Sequence, residues 1–221
     1  MLGLLQNTRP PEGFKGILDV GCGTGVLFDS LQELGSPVQG VEMDPALVRA
    51  SSHAEDIHVG PFDTTFCPGR RFALVLMLDV LEHLERPREA LQQTASLLLP
   101  NGRLVLTVPA FNALWTSHDV HNRHQTRFTR GSLHPLLQEA GFQVELSRYL
   151  FQSLAAAKIL LGLKERIHGR SNGVAQVPPK PIGSLLYAVC RAEHALLRFI
   201  PLPFGSTLLV SARLDSASPQ E

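Results

Sequence analysis

The sequence predicts a doubly wound α/β fold, in which helices cover both faces of a mostly parallel sheet. One observation is the segment ILDVGCGTG at 17–25, where a short apolar run leads into a glycine-rich turn. Such a run is typical of a parallel strand that is buried on both faces. The other observation is the alternation of strand-like and helix-like patterns up to about Tyr149. In folds of this class, ligands bind at the carboxyl ends of the strands.

The glycine-rich turn predicts a ligand that lies directly against the backbone. Gly21, Gly23 and Gly25 place no side chains in its way. The residues that follow have helical spacing: Val26, Leu27, Leu31 and Leu34. They predict a helix that begins where the turn ends, with its free N–H groups facing the same cleft.

Two common nucleotide sites do not fit this turn. A dinucleotide fingerprint needs glycine where Val26 stands, and a phosphate-binding P-loop needs Lys followed by Ser or Thr. The pattern that remains, DVGCGTG at 19–25, resembles the first motif of class I S-adenosylmethionine-dependent methyltransferases. The resemblance implies that the cofactor is S-adenosylmethionine, released as S-adenosylhomocysteine. It also implies cofactor contacts along this motif, at Asp19, Gly21, Cys22, Gly23 and Gly25.

A second matching segment, VQGVEMD at 38–44, predicts a buried strand that ends in an acid. Glu42, at that end, can accept hydrogen bonds from both ribose hydroxyls, and charge-assisted bonds are the stronger kind. The alternative is a solvated carboxylate at a strand end. Met43 comes next and is also expected to contact the cofactor. Asp44 and Pro45 predict the N-cap and the first residue of the following helix.

The third segment, FALVLMLDVLEHL at 72–84, resembles the fourth-strand segment of the ubiquinone-biosynthesis-like branch of this superfamily. Its apolar run of strand length ends at Leu78. The resemblance implies that Leu78 and Asp79 line the cofactor cleft. It also implies that Glu82 and His83 begin the next helix.

The segment after the third predicted strand, VGPFDTTF at 59–66, departs from the family pattern. Relatives often place an acid directly after a glycine here, where it meets the adenine amino group. In this chain Pro61 follows the glycine, and the acid comes only at Asp63. Phe62 and Asp63 therefore either contact the adenine or belong to a turn, with Asp63 as an N-cap.

The remaining elements complete a Rossmann-like sheet of seven strands. A Pro-Asn-Gly turn precedes a fifth strand at 104–108. Thr129 predicts the N-cap of a helix that Gly141 ends. The segments 144–149 and 207–214 predict the last two strands. The resemblance implies that the last strand lies antiparallel beside the fifth.

The composition fits one soluble domain, with its core at 15–149 and 205–214 of the 221 residues. Twenty basic and twenty acidic side chains give a net charge of zero, which argues against nucleic acid as a partner. Three scattered cysteines, with no signal pattern at the N-terminus, predict a cytoplasmic protein. Cys22 is expected to pack rather than react, because no base stands beside it in sequence.

Acceptor chemistry is expected in the segment 109–128, PAFNALWTSHDVHNRHQTRF, which follows the fifth strand. Its Asp, His and Arg-Phe spacing resembles that of many uncharacterised bacterial methyltransferases of this branch. In one interpretation, His124 and Arg127 only pin the loop by hydrogen bonds. In a second, a histidine acts as general base because its pKa lies near neutrality. The candidates are His124 and His83 first, then His118 and His121.

A third interpretation is a divalent metal site, in which these histidines join Glu82. Some methyltransferases of the branch use such an ion. Histidines at every third residue need not converge, however, and we predict no metal site.

Residues 150–204 predict a helical insertion before the last strand. YLFQSLAAAKILLGL is apolar but contains Lys158 and is too short to span a bilayer. LLYAVCRAEHALLRFI places its apolar residues near one side. These helices either cover the sheet or form a dimer face, or they form a lid for a lipid-like substrate or lie on a membrane surface.

The expected reaction is methyl transfer from S-adenosylmethionine to an oxygen or nitrogen of a small or lipid-like acceptor. The alternative is a non-catalytic protein that keeps the fold to bind a cofactor or a partner. The displaced acid at Asp63 favours that alternative, whereas the intact glycine motif and Glu42 oppose it. Sixteen residues precede the first strand, where many relatives carry helices that close over the cofactor. Another part of the chain is therefore expected to cover the cofactor, or the cleft is open.

Overall fold

Strands and helices alternate along the chain, as the patterning predicts. The computed structural model describes residues 13–168, 180–197 and 202–215, together with residues 3, 5, 6, 10 and 200. The strands are β1 Ile17–Val20, β2 Val38–Glu42, β3 Ile57–Val59, β4 Phe72–Leu78, β5 Leu98–Pro109, β6 Phe142–Leu150 and β7 Thr207–Leu214. The helices are α1 Phe28–Gln32, α2 Pro45–Arg49, α3 Pro87–Leu97, α4 Ser117–His121, α5 Arg130–Glu139, α6 Gln152–His168 and α7 Lys180–Leu197.

The strands form one seven-stranded sheet in the order β3-β2-β1-β4-β5-β7-β6. The first five strands pair in parallel, whereas β7 lies antiparallel between β5 and β6. The predicted fold class is therefore confirmed, including the antiparallel last strand. The carboxyl ends of β1, β2 and β4 meet at one edge of the sheet, where the order of the strands reverses direction. That edge is the expected ligand position in a doubly wound sheet.

Two hydrophobic clusters cover the two faces of the sheet. Successive strand residues point to opposite faces, so Leu18 and Val75 belong to one cluster while Ile17 and Leu74 belong to the other. All four are fully buried. This burial on both faces explains why β4 is a continuous apolar run rather than an alternating one.

The first helix begins later than the spacing predicts. α1 starts only at Phe28, and Val26 is 82% exposed rather than on a buried helical face. The residues between Gly21 and Leu27 form successive turns instead. The predicted helix does follow the glycine turn but starts two residues after Val26, since the turn with its three positive-φ glycines extends to Leu27.

The Glu82–His83 pair does not begin a helix either. Both residues lie in a separate 3-10 turn, Leu81–His83, and α3 starts only at Pro87, which occupies its first turn. Proline is favoured at that position because its missing N–H would be unbonded there anyway. The separate turn lets Glu82 point inward while His83 stays accessible.

The predicted Pro-Asn-Gly turn is absorbed into β5 as an irregularity. Asn101 has a φ of 61°, and the pairing of β4 with β5 shifts register before Arg103. A Cβ on Gly102 would come within 2.7 Å of the Leu99 carbonyl oxygen, so only glycine fits. From Arg103 onward the strand pairs regularly with β7.

The insertion consists of α6 and α7, which follow β6 and precede β7. α6 packs against a 3-10 turn at Asn112–Leu114 and against α7. Glu193 on α7 accepts hydrogen bonds from the N–H groups of Gln152 and Ser153, at 2.8 and 2.6 Å, and so caps the start of α6. Among the described helices, none has the length and apolarity needed to cross a bilayer.

Candidate cofactor cleft and acceptor loop

The glycine turn and the end of β2 are joined by one carboxylate. Glu42 accepts a hydrogen bond from the Gly23 N–H at 2.8 Å through Oε2, and another from the Asp44 N–H at 2.9 Å through Oε1. Each carboxylate oxygen has a second lone pair. Glu42 therefore fixes the turn and keeps acceptor capacity toward the cleft.

Gly21 occupies a position that no other residue fits. Its φ is +69°, and a Cβ there would come within 2.6 Å of the Val80 Cγ2 atom. Gly23 has a φ of +58° but open space around it, so its side is free for a ligand. The turn thus packs against Val80 at Gly21 and is hydrogen-bonded to Glu42 at Gly23.

A cavity of about 640 Å³ opens at this edge of the sheet. Its lining includes six residues predicted as cofactor contacts: Gly21, Glu42, Met43, Phe62, Asp63 and Asp79. His83 also lines it, so the predicted base borders the predicted cofactor cleft. The remaining predicted contacts, Asp19, Cys22, Gly23, Gly25 and Leu78, lie in β1, in the glycine turn or at the end of β4 but do not line the cavity.

Two residues of the first motif have buried side chains that do not line the cavity. Asp19 is 4% exposed, and burial raises the pKa of its carboxyl to about 7. The Cys22 side chain is buried in the cluster on the other face, so close to β2 that a Cβ on Gly40 would overlap its sulfur. Burial, with the charges of Asp19 and Glu42, raises the pKa of the Cys22 thiol to about 12. The thiol is therefore a packing group, and only the Cys22 backbone faces the turn.

The displaced acid after β3 forms a turn at the mouth of the cavity. Asp63 Oδ1 accepts hydrogen bonds from the Thr65 N–H at 2.8 Å and the Thr65 hydroxyl at 2.6 Å. These two bonds lower the pKa of the fully exposed Asp63 carboxyl. Phe62 is half-buried, and its ring lies 6.0 Å from that of Phe66. The turn interpretation thus describes Asp63, while Phe62 presents an aromatic wall to the cavity.

The end of β4 is held in a strained conformation. Asp79 has a φ of +54°, which is uncommon for a residue other than glycine. Its N–H donates to the Thr107 carbonyl oxygen at 3.0 Å, and its Oδ1 accepts from the Thr107 hydroxyl at 3.1 Å. These bonds to β5 maintain the strain and turn the chain so that Val80 meets Gly21.

A buried ionic network fixes the loop that follows β5. The side chains of Asp119 and Arg127 are both fully buried and make two hydrogen bonds, at 2.8 and 2.9 Å. Asp119 also accepts from the Thr116 N–H at 2.9 Å, and it bonds the Nδ1 atom of His124 at 2.8 Å. Burial opposes the charge of Asp119, but the bonds from Arg127, Thr116 and His124 outweigh it and lower the pKa of Asp119 to about 2. The loop-pinning interpretation is correct for Arg127.

His124 is oriented by this network toward the end of β4. With its Nδ1 bonded to an ionised carboxylate, the ring carries hydrogen on that atom and leaves Nε2 as acceptor. The His83 ring meets the His124 ring edge-on, with 4.8 Å between the centroids. Burial and the neighbouring His124 lower the pKa of His83. The two predicted catalytic residues are thus in contact, although they lie 41 positions apart in the chain.

Glu82 completes this cluster, as the metal interpretation of the sequence had it, although only His83 and His124 of the four histidines take part. Glu82 is 1% exposed, and its Oε2 has no hydrogen-bond partner. Burial raises the pKa of its carboxyl to about 8. The possible ligand atoms of Glu82, His83 and His124 lie within 4.8 Å of one another, and this donor set fits a divalent cation. His118 and His121 do not take part, since both are exposed and His118 bonds Asn122 at 2.8 Å.

Lys158 of the insertion also faces this region, and sequence reasoning did not predict it. Burial lowers the pKa of its amine, and Arg127 adds to the shift, whereas Asp119 and Asp79 oppose it. Burial, together with the charge of Lys158, lowers the pKa of His118. The insertion therefore contributes a half-buried cation whose charge interacts with those of Arg127 and Asp119. A lone Lys in an apolar helix was the only available signal.

Comparison with known proteins gives one family. The model of the methyltransferase domain family matches residues 4–147. The ubiquinone biosynthesis O-methyltransferase of Azorhizobium caulinodans is 30% identical over 171 residues, which is 67% of each protein. The mitochondrial ubiquinone biosynthesis O-methyltransferase of Schizosaccharomyces pombe is 38% identical over 104 residues, 42% of this chain. This chain covers only 37% of that yeast protein.

Solved structures agree at the level of the fold. A SAM dependent methyltransferase from Archaeoglobus fulgidus superposes with a TM-score of 0.61 at 17% identity, over 96% of this chain and 92% of that one. An S-adenosylmethionine dependent methyltransferase from Mesorhizobium loti gives a TM-score of 0.59 at 18% identity, over 96% of each chain.

Proposed function

Because the chain belongs to the methyltransferase domain family, we propose that it transfers a methyl group from S-adenosylmethionine to an oxygen of a small, lipid-like acceptor. The observation that carries the proposal is the hydrogen bond from the Gly23 N–H to Glu42. It holds the glycine turn next to a carboxylate that lines the cavity and can accept further hydrogen bonds. The acceptor class rests on the O-methyltransferase names of the relatives. Transfer to nitrogen uses the same cleft and is the second possibility.

The residues of the cleft suit this cofactor. Glu42 offers free lone pairs to two ribose hydroxyls, and Gly21 and Gly23 let the methionine part lie on the backbone. Phe62 provides an apolar wall for the adenine at the mouth of the cavity. Cys22 contributes through its backbone alone. Asp19, beneath the turn, supports the motif rather than touching the ligand.

The cofactor supplies an activated methyl group, so the chain mainly has to align the acceptor oxygen with it. In the transfer, an oxygen–carbon bond forms as the carbon–sulfur bond breaks, and the acceptor loses its hydroxyl proton. His124 Nε2 accepts that proton while Asp119 stabilises the resulting imidazolium through Nδ1. Alignment by the chain can contribute on the order of 7–11 kcal/mol.

The contact between His83 and His124 supports this role, because it places the base beside a residue that lines the cofactor cavity. The Glu82–His83–His124 cluster supports a cation-assisted version of the same reaction. In that version the ion would be held by these three side chains and would lower the pKa of an acceptor hydroxyl. The two versions differ in their response to chelators.

The test is transfer of labelled methyl from S-adenosylmethionine to a hydroxylated aromatic acceptor, with and without an isoprenoid tail. His124→Gln should lower turnover by roughly 10²–10⁴-fold, as expected for a general base, and leave cofactor affinity intact. His121→Gln, an exposed histidine on α4, is the matched control and should keep full turnover.

Unchanged turnover in His124→Gln would remove this residue from the mechanism. Loss of activity with EDTA, restored by Mg²⁺ or Zn²⁺, would assign the cluster to a cation. Cofactor binding by a well-folded chain that methylates no acceptor of this class would favour the non-catalytic alternative.

A further inference from the structure

The insertion leaves most of its apolar side chains uncovered. Among the described residues, fourteen of the nineteen exposed large hydrophobic side chains lie in 150–204. On α7 they form one stripe at helical spacing: Ile182, Leu185, Leu186, Val189 and Leu196. If α7 covered the sheet, these leucines would be buried, yet Leu185 is 65% exposed and Leu196 is 75% exposed. The interpretation of α7 as a plain cover of the sheet was therefore wrong.

α6 presents a second stripe while its other side holds the acceptor loop. Ile159, Leu163 and Ile167 are exposed at helical spacing. The same helix packs against the 3-10 turn Asn112–Leu114 and carries the half-buried Lys158. The exposed stripe thus lies on an element that borders the acceptor side of the site.

The charge of the insertion is opposite to that of the rest of the chain. Residues 150–204 contain seven Lys or Arg and two Glu, a net charge of +5, while the remainder carries −5. The zero net charge of the whole chain conceals this asymmetry. On the opposite side of α7 from the stripe, the Arg191 guanidinium lies 5.8 Å from the centre of the exposed Tyr187 ring.

We propose that the α6 and α7 stripes dock this protein on an anionic lipid surface, with the apolar side chains in the interface and the net positive charge of the insertion attracting the headgroups. Apolar burial and attraction to anionic lipid act together in such helices. A second copy of the chain fits less well, because a symmetric dimer through this surface would bring two +5 insertions together. Large exposed apolar patches normally mark an interaction site. Docking would let a lipid-like acceptor pass from the bilayer to the loop beneath α6. This purpose rests on the proposed function.

Vesicle flotation tests the docking without any methyl transfer. The full chain is mixed with vesicles of phosphatidylcholine alone or with 30% phosphatidylglycerol. We expect flotation with the anionic vesicles, at least ten-fold less with the neutral ones, and a loss of binding as salt rises from 50 to 500 mM. Leu196→Glu should reduce binding at least ten-fold. Leu47→Glu, an exposed leucine on α2, is the matched control and should float like the wild type.

Equal flotation of Leu196→Glu and the wild type would overturn the proposal. Failure of the wild type to float would overturn it as well. A dimer in analytical ultracentrifugation that Leu196→Glu dissociates would then assign the stripes to self-association. Calorimetry with S-adenosylhomocysteine on Leu196→Glu should match the wild type. Flotation without cofactor binding would leave the docking surface intact and refute the methyltransferase proposal instead.

Discussion

Removing the charge of Asp119 should lower the free energy of unfolding, because Asp119 is the buried counter-ion of Arg127 in the loop that follows β5. In Asp119→Asn the fully buried Arg127 guanidinium keeps at most one bond, to the neutral amide oxygen, and stays without a counter-ion. Breaking a buried pair from one side typically costs 3–5 kcal/mol. Total stabilities of domains are only about 5–15 kcal/mol, so the loss is a large share. Urea unfolding, followed by circular dichroism, measures it.

Two further variants make the Asp119 experiment specific. Adding Arg127→Met to Asp119→Asn removes the unpaired charge and should recover at least half of the lost stability. Glu89→Gln breaks the pair between Arg86 and Glu89, both well exposed, and should cost less than about 1 kcal/mol. A loss below 1 kcal/mol in Asp119→Asn, or no recovery in the double variant, would refute the buried-pair argument.

Two other predictions concern pH and the glycine turn. The Glu82 carboxyl, whose pKa rises from 4.5 to about 8 on folding, contributes stability that is full below pH 4.5 and is lost as pH rises through 8. Glu82→Gln should flatten that decline in urea unfolding between pH 5 and 9, and an unchanged slope would contradict the burial argument. Gly21→Ala should be clearly less stable than Gly23→Ala, since both have positive φ but only the first meets Val80. Val80→Ala should restore part of the difference, and equal stability of the two alanine variants would refute the clash.

Local patterns were sufficient where burial is continuous along the chain. β4 and β7 have the bounds predicted from their apolar runs, and Asp44 caps α2 as its sequence indicates, accepting from the Ala46 N–H at 2.8 Å. The two strands pair with distant partners, yet their bounds follow their own apolar runs. At Asp44 the deciding hydrogen bond lies within two residues. Thr129 likewise caps α5 as its sequence indicates.

Long-range contacts decided the parts that sequence reasoning missed. Glu82 was predicted at a helix start, but it lies in a 3-10 turn and is buried, with the Gln125 N–H bonded to its carbonyl oxygen at 2.7 Å. Its meeting with His124 depends on Arg127 and Asp119, which fold the loop back. No spacing rule predicts a contact that a buried ion pair creates.

Calorimetric titration with S-adenosylhomocysteine tests the central claim, that the cavity at the glycine turn holds the cofactor. The wild type should bind one equivalent. Glu42→Ala should lose roughly 1.5–3 kcal/mol, about 10- to 150-fold in Kd, because charge-assisted bonds to the ribose are removed. Glu55→Ala, an acid in the separate cavity at the opposite ends of the strands, should bind like the wild type. Absence of binding by the folded wild type, or full affinity in Glu42→Ala, would contradict the account.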